Sequence, residues 1–420
     1  MEYYSIVTIL VVLSALFGYI NVRFLKMPLT IGLTIVTIAF TLIVLLVGQL
    51  DNSPLLKEKA FVLSIDFETV LLNIMLSFLL FAGALHTNFC QLKVQRGPIL
   101  AFSTFGVVAS TLLVGTAMFY ILEWMNFGVS YVNCLLFGAL ISPTDPIAVL
   151  GILKKVGAPE KLEAKIVGES LFNDGVGVVV FLTIFAIAEK PGVPIQVSDI
   201  VTLFGQEVIG GLVLGLALGW LTYRLMKSIN NYEIEVMLTI AAVMGGTALA
   251  HRFHLSAPLA MVAAGLVVGN DTIRNAAMSE VVEAYVDKFW ELVDVLLNTL
   301  LFVMIGMEML VLTLGKNYAI AGLIAIPTIL LCRYLSLWLP IKIFDKRLEF
   351  VPKTNLIMTW GGLRGGISIA LALSLPMEMH RELFLAITYV VVVASIIGQG
   401  LTVGPVIKKL TESYSKAKLA

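Results

Sequence analysis

Three stretches of the sequence place ionisable side chains inside long apolar runs. They are Ser142-Pro143-Thr144-Asp145-Pro146, Gly168-Glu169-Ser170-Leu171-Phe172-Asn173-Asp174-Gly175 and Gly361-Gly362-Leu363-Arg364-Gly365-Gly366. In the first, each proline removes a backbone donor and clashes with the preceding turn, so no continuous helix is expected. The freed carbonyls, the Thr144 hydroxyl and the Asp145 carboxylate then offer the hard oxygens that a small cation takes as ligands. In the second, Ser170 and Asp174 stand four residues apart and share one helix face. Glu169 and Asp174 are separated by about 140° around a helix, so they look into different surroundings. Asp174 is assigned to the cation site, whereas Glu169 needs a cationic partner on another helix. Arg333, inside a further apolar run, is the natural candidate, because a buried unpaired arginine is strongly destabilising. In the third stretch four glycines around Arg364 weaken a helix and let backbones approach closely. A phosphate-binding loop would need a lysine-serine signature, and none follows. The bland alternatives are a proline kink with a chance aspartate, and two acids at a wet helix end.

The elements that must hold these residues are membrane helices. The chain has 420 residues, of which 59% are hydrophobic and 13% charged. A soluble chain of that length needs far more polar surface to cover its core. A spanning helix takes about 20 apolar residues. Thirteen segments fit that length, at roughly 3–22, 28–49, 66–87, 98–122, 131–153, 164–188, 200–226, 233–250, 256–272, 290–314, 318–344, 355–376 and 383–407. The expected fold is therefore an all-α polytopic membrane protein with about 13 transmembrane helices, interrupted in helices five and twelve. Broken, glycine-rich spans at matching positions of two halves point to a transporter's binding site. Spans five and twelve are an odd number apart, so they cross in opposite directions, as inverted-topology repeats require.

Charge sets the expected orientation. With Arg333 and Arg364 set aside and residues at span ends counted with the adjoining loop, 20 lysines and arginines fall after odd-numbered helices and in the tail, against 6 in the other loops. The positive-inside bias places the N-terminus outside and the C-terminus in the cytoplasm. The apolar run behind Met1-Glu2-Tyr3-Tyr4 lacks a basic flank and is read as a retained first helix. The tail after Gly404 is a short basic stub carrying Lys408, Lys409, Lys416 and Lys418. Lys plus Arg and Asp plus Glu both number 28, so no nucleic acid is expected as partner. Cys90, Cys134 and Cys332 give no metal spacing or disulfide framework and are read as packing residues.

Several ionisable residues receive no firm role. His86 ends span three, and Glu207 and Glu308 sit within apolar stretches without a ranking among wet, interfacial and sensory roles. His251 and His254 lack further ligands, so a metal site there is not expected. Pro327 and Pro340 are read as kinks in span eleven, and Asp66 with Glu68 as an outer-interface pair.

Thr144-Asp145-Pro146, Gly168-Glu169-Ser170 with Asn173-Asp174, and Gly362-Leu363-Arg364-Gly365-Gly366 together resemble the NhaP-type sodium/proton antiporters. That family also contains the animal sodium/proton exchangers. The likeness runs over essentially the whole chain. It implies a homodimer in the cell (plasma or inner) membrane, with a core that moves in an elevator-like way against a dimerisation side. The core maps to residues 98–190 (spans four to six) and 317–410 (spans eleven to thirteen). The scaffold and dimerisation side maps to 1–97 and 191–316, with 411–420 as the cytoplasmic tail. The resemblance implies ion ligands at Thr144, Asp145, Ser170 and Asp174, support from Asn173, and a structural ion pair between Glu169 and Arg333. The Asn-Asp pair at 173–174 resembles the electroneutral branch, which exchanges one cation for one proton. Some relatives add a carboxylate from span three. Here Leu79-Leu80-Phe81-Ala82-Gly83-Ala84-Leu85 offers none, so a further ligand is expected to be water or backbone. The short tail speaks against the elaborate regulation of the animal exchangers.

The expected mechanism is competition. One buried carboxylate holds either a proton or a cation, and if only the loaded forms cross, exchange is obligatory. No cofactor and no enzymatic chemistry are expected; Ser170 has no histidine or lysine partner that would make it a hydrolase nucleophile. The ion is read as Na⁺, with Li⁺ alongside, exchanged for H⁺. The alternatives are K⁺ on the same scaffold and a proton-conducting or sensing subunit of a larger membrane complex.

Overall fold

The computed structural model of the chain describes residues 2–50, 61–62, 65–87, 89–145, 147–156, 160–189, 197–270, 274, 278–312, 315–348, 350 and 353–419. Among them nine helices are long and apolar enough to cross a membrane, and three apolar ones are shorter. A backbone surrounded by lipid has to satisfy its hydrogen bonds within its own segment, and a helix does so. In chain order the elements are α1 (Glu2–Ile20), α2 (Leu29–Leu50), α3 (Thr69–Leu85) and α4 (Phe89–Trp124). Then follow α5 (Tyr131–Ile141), α6 (Ile147–Val156), α7 (Glu160–Ala188), α8 (Val197–Met226) and α9 (Tyr232–Arg252). The remainder are α10 (Ala257–Val268), α11 (Glu280–Glu308), α12 (Lys316–Leu348), α13 (Thr354–Gly361), α14 (Gly366–Leu373) and α15 (Arg381–Leu410). Each segment expected from the sequence is occupied by one helix or by a broken pair, α5/α6 for span five and α13/α14 for span twelve.

The ends differ where polar turns extend an apolar helix. α4 begins at Phe89 and runs through Pro98, with a widened turn at Phe102–Gly106 following the proline. Lys93 and Arg96 therefore lie on a helix and not in a loop. α11 begins ten residues before its apolar stretch, because the Ser279 hydroxyl caps it by accepting from the Val282 amide at 3.5 Å. Asn231 and Ser256 cap α9 and α10 in the same way, which satisfies otherwise orphaned amides. Beyond the apolar span of α15, which ends at Leu410, the helix runs on to Leu419, so the basic tail is helical.

Small residues allow the tightest contacts. Gly211, Gly215 and Gly219 recur every four residues on α8 and lie against Ser256, Ala260 and Ala264 of α10; a Cβ on Gly215 would overlap the Ala260 carbonyl. That spacing is the close-packing pattern of membrane helices. Two apolar cores flank the broken helices. Val114, Phe137, Phe181, Ile329, Leu371 and Phe384 join α4, α5, α7, α12, α14 and α15. Phe81, Met226, Val243, Met261 and Trp290 join α3, α8, α9, α10 and α11.

Candidate functional site

The site is built where the two broken helices cross. α5 ends at Ile141 and α6 begins at Ile147; α13 ends at Gly361 and α14 begins at Gly366. The Asp145 amide donates to the Leu363 carbonyl at 2.8 Å, an antiparallel bridge between the two breaks. The opposed directions expected of spans five and twelve are visible in that bridge. Gly365 is required here, because a Cβ on it would stand 2.8 Å from the Asp145 carboxylate. Gly362 makes room in the same way for the Arg333 guanidinium. Pro146 lies outside the described residues.

Broken helix ends leave carbonyls without partners. At the end of α5 they go to Arg364, whose Nη1 donates to the Ser142 carbonyl at 2.5 Å and to the Pro143 carbonyl at 3.0 Å. The fixed guanidinium, 2% exposed, complements the negative end of α5. This corrects the sequence-based expectation that the freed carbonyls bind the cation: a positive side chain already occupies two of them, and a second cation there would be repelled. Arg364 is itself held, its amide donating to Ser395 Oγ at 3.0 Å, which donates to Gln399 Oε1 at 2.6 Å.

Thr144 is clamped from α7. Its amide donates to Asn173 Oδ1 at 3.3 Å, and Asn173 Nδ2 donates to the Thr144 hydroxyl at 2.8 Å. The same hydroxyl lies 3.0 Å from Ser170 Oγ. Asn173 thus uses both halves of its amide on one residue, which an aspartate could not do. Behind this layer Glu169 and Arg333 form the expected ion pair, Oε1 to Nη1 at 2.7 Å, with both residues buried.

In front of it lies a cavity of about 590 Å³, lined by Thr144, Asp145, Asp174, Gly365 and Ser368 on one side. Asp174 is 6% exposed, and its charge and that of Asp145 act on each other. Of the residues expected at the site, Thr144, Asp145 and Asp174 face the cavity. Ser170, Asn173, Glu169, Arg333 and Arg364 stand behind them and hold them. On the α3 side the wall is Leu79, Leu80 and Gly83, so that span brings no carboxylate.

Sequence reasoning missed the opposite wall. Asp294 and Asn298 of α11 line the cavity, side-chain oxygens that the expectation of water or backbone as the further ligand did not consider. Their spacing of four was a usable signal. It was hidden because Asp294 follows Glu280, Glu283, Asp287 and Glu291 and looks like the last of an acidic helix start. His86, which is exposed, lines the cavity together with the half-buried Gln91 and Glu163. Its Nε2 is 3.3 Å from the Asp287 carbonyl, and Asp287 in turn pairs with Arg274 at 2.5 Å. Glu207 and Glu308 do not line the cavity; the Glu207 carbonyl accepts from the Ser256 amide at 3.2 Å.

Residues 11–409 match the family described as sodium/hydrogen exchanger, transmembrane. A Pseudomonas aeruginosa protein named Na(+)/H(+) antiporter NhaP is 45% identical over 411 residues, which cover 97% of this chain and 96% of that one. The Na(+)/H(+) antiporter NhaH of Halobacillus dabanensis is 34% identical over 380 residues, 89% of this chain and 91% of its own. Among solved structures, the sodium proton antiporter MjNhaP1 from Methanocaldococcus jannaschii at pH 8 superposes with a TM-score of 0.77 at 21% identity. The match covers 98% of this chain and 99% of that one, and establishes the common fold.

Proposed function

The chain belongs to the sodium/hydrogen exchanger family, and from that premise we propose that it exchanges Na⁺, and also Li⁺, for H⁺ across the cell membrane. The observation that carries this reading is the meeting of Asp145 and Asp174 on the wall of one cavity, at the crossing of two broken helices. Asp174 takes either a proton or a cation, and Asp145 and the Thr144 hydroxyl supply oxygens to the cation. Ser170 and Asn173 hold Thr144 in position, while the Glu169–Arg333 pair and Arg364 keep the two breaks in register. Only the loaded forms change access, so each cation is exchanged for a proton.

The moving unit is the core formed by α4–α7 and α12–α15. Support comes from the apolar cluster shared by α4, α5, α7, α12, α14 and α15, which is separate from the one around Trp290, while α6 and α13 pack with α1, α2 and α11 in a third. The protein works as a homodimer in the lipid bilayer, with α1–α3 and α8–α11 as the static side. The exposed residues of the cavity lining are His86 and Gly151, near the ends of spans three and five. The charge bias puts those ends in the cytoplasm, with the N-terminus outside, so this is the inward-facing state.

The test is exchange by the purified protein in liposomes, read as dissipation of a pH gradient on adding Na⁺, Li⁺ or K⁺. Na⁺ and Li⁺ should dissipate it; a response to K⁺ alone would move the reading to K⁺/H⁺ exchange. Asp174→Asn should abolish the signal, and Asp145→Asn should slow it by about tenfold or more through loss of a charged ligand. Wild-type rates in Asp174→Asn would remove that residue from the mechanism.

A further inference from the structure

The wall of the cavity opposite Asp174 carries oxygens that the mechanism above does not use. Asp294 and Asn298 stand one turn apart on α11. Asn298 Nδ2 donates to the Asp294 carbonyl at 2.9 Å and to its carboxylate at 3.0 Å. These two bonds fix the amide with its nitrogen toward Asp294 and its oxygen on the other side. That oxygen has no hydrogen-bond partner, although Asn298 is only 3% exposed.

Ser368, on the first turn of α14, presents a second such oxygen. It is 1% exposed and its hydroxyl also has no partner. Some buried hydroxyls in this fold donate back to the carbonyl four residues earlier, as Thr34, Thr37 and Thr183 do; others, Ser14 and Thr388 among them, have no partner but do not line the cavity. For Ser368 that residue is Arg364, inside the break, so the usual helical acceptor is missing. Asp294, Asn298 and Ser368 all line the one cavity, and α11 packs on α14 through Leu301 against Gly366.

A carboxylate, an amide oxygen and a hydroxyl are the ligand types that alkali cations take. Leaving buried oxygens unpaired is costly, and a bound cation removes that cost. The placement also has a direction. The charge of Asp294 acts on Asp145, and that of Asp145 acts on Asp174, while His86, which also acts on Asp294, lines the same cavity where it is exposed. We propose that Asp294, Asn298 and Ser368 form a second, loading site for a monovalent cation, between the cavity mouth and the Asp145–Asp174 site. Its place in transport rests on the antiport reading above, whereas its ability to bind a cation does not.

Two measurements test it. In detergent, the Asp145→Asn/Asp174→Asn double variant should retain weak, saturable binding of radiolabelled Na⁺, and adding Ser368→Ala or Asp294→Asn should abolish it. Double-variant binding that neither addition reduces, or no binding at all, overturns the proposal. In liposomes, Ser368→Ala on the wild-type background should raise the KM for Na⁺ about fivefold, the scale of one lost oxygen ligand in a half-wet cavity, with Vmax within about twofold. A hydroxyl without a ligand would instead raise the melting temperature on removal and leave KM unchanged, and that result also overturns the proposal. If the wild-type protein exchanges no cation, the antiport reading fails, while the binding measurement still decides on the site. Asp294→Asn and Ser368→Ala are near-isosteric, and a monodisperse elution profile checks that each variant is folded.

Discussion

Arg333 and Arg364 show two ways to keep an arginine inside a membrane protein. Arg364 spends its charge on the carbonyls of a broken helix, and Arg333 spends its charge on one carboxylate, Glu169. The second arrangement makes a sharp prediction. Removing either partner of a buried pair strands a charge and costs about 3–5 kcal/mol. Glu169→Ala and Arg333→Ala should therefore both melt early in detergent, and the double variant should recover part of the loss. A double variant whose loss equals the sum of the two single losses would show that the groups are not coupled. At this scale the sequence revealed the pair because its reasoning was general: a buried charge needs an opposite one, and only a few candidates exist. It did not reveal the partner of Arg364, because backbone carbonyls are everywhere and only the crossing of the two breaks selects Ser142 and Pro143.

At the scale of the element, the breaks are functional and the caps are structural. The breaks in α5/α6 and α13/α14 follow from Pro143 and from the glycines at 361, 362, 365 and 366, so they could be read from local chemistry. The start of α3 is set by a cap of the same local kind. Asp66 Oδ1 accepts from the Thr69 amide at 3.0 Å, and the hydrogen bonds from Thr69 hold the Asp66 carboxyl below its usual range. A folded-state pKa that is depressed contributes stability at neutral pH, which is lost as the carboxylate takes up its proton below about pH 4. Asp66→Ala should loosen the start of α3 by about 1 kcal/mol, seen as faster hydrogen exchange at Thr69. Asp66→Asn should retain most of the cap and lose the acid dependence. Equal exchange in all three proteins across that range would show that the cap does not fix the helix start. The expectation of an outer-interface pair at Asp66 and Glu68 did not anticipate this cap, since it considered charge and not the amide three residues on.

For the whole molecule, the sharpest expectation concerns net charge per cycle. Asn173 is committed to Thr144 through both ends of its amide, so α7 carries one titratable carboxylate at the site, where an Asp-Asp pair would carry two. We predict one proton per cation and no response to membrane potential. In liposomes with an imposed K⁺/valinomycin potential, K⁺ having first been excluded as a substrate, the Na⁺-driven pH change should not depend on voltage. A cycle that moved one net charge would gain or lose about 2.3 kcal/mol at 100 mV, nearly a fiftyfold shift in the exchange equilibrium. A shift of that size would mean that Asp145 or Asp294 carries a second proton, since coupled carboxylates titrate as a group.

Composition and periodicity alone determined that this chain lives in a bilayer, how its apolar segments are spaced and which two of them break. Those properties depend on neighbours along the chain, so they survive in a linear reading. They also marked Thr144 and Asp145 as polar groups at a break, because broken helices in a membrane need a polar reason, while the motif resemblance added Asp174. Only the tertiary structure decided which oxygens face the cavity. It gave two freed carbonyls to Arg364, turned Ser170 and Asn173 into the clamp behind Thr144, and brought Asp294 and Asn298 to the cavity that Ser368 also lines. The side chains of α7, α11 and α14 come together from parts of the chain 70 or more residues apart, and the facing of a helix is set by the packing of its neighbours, which no local spacing encodes.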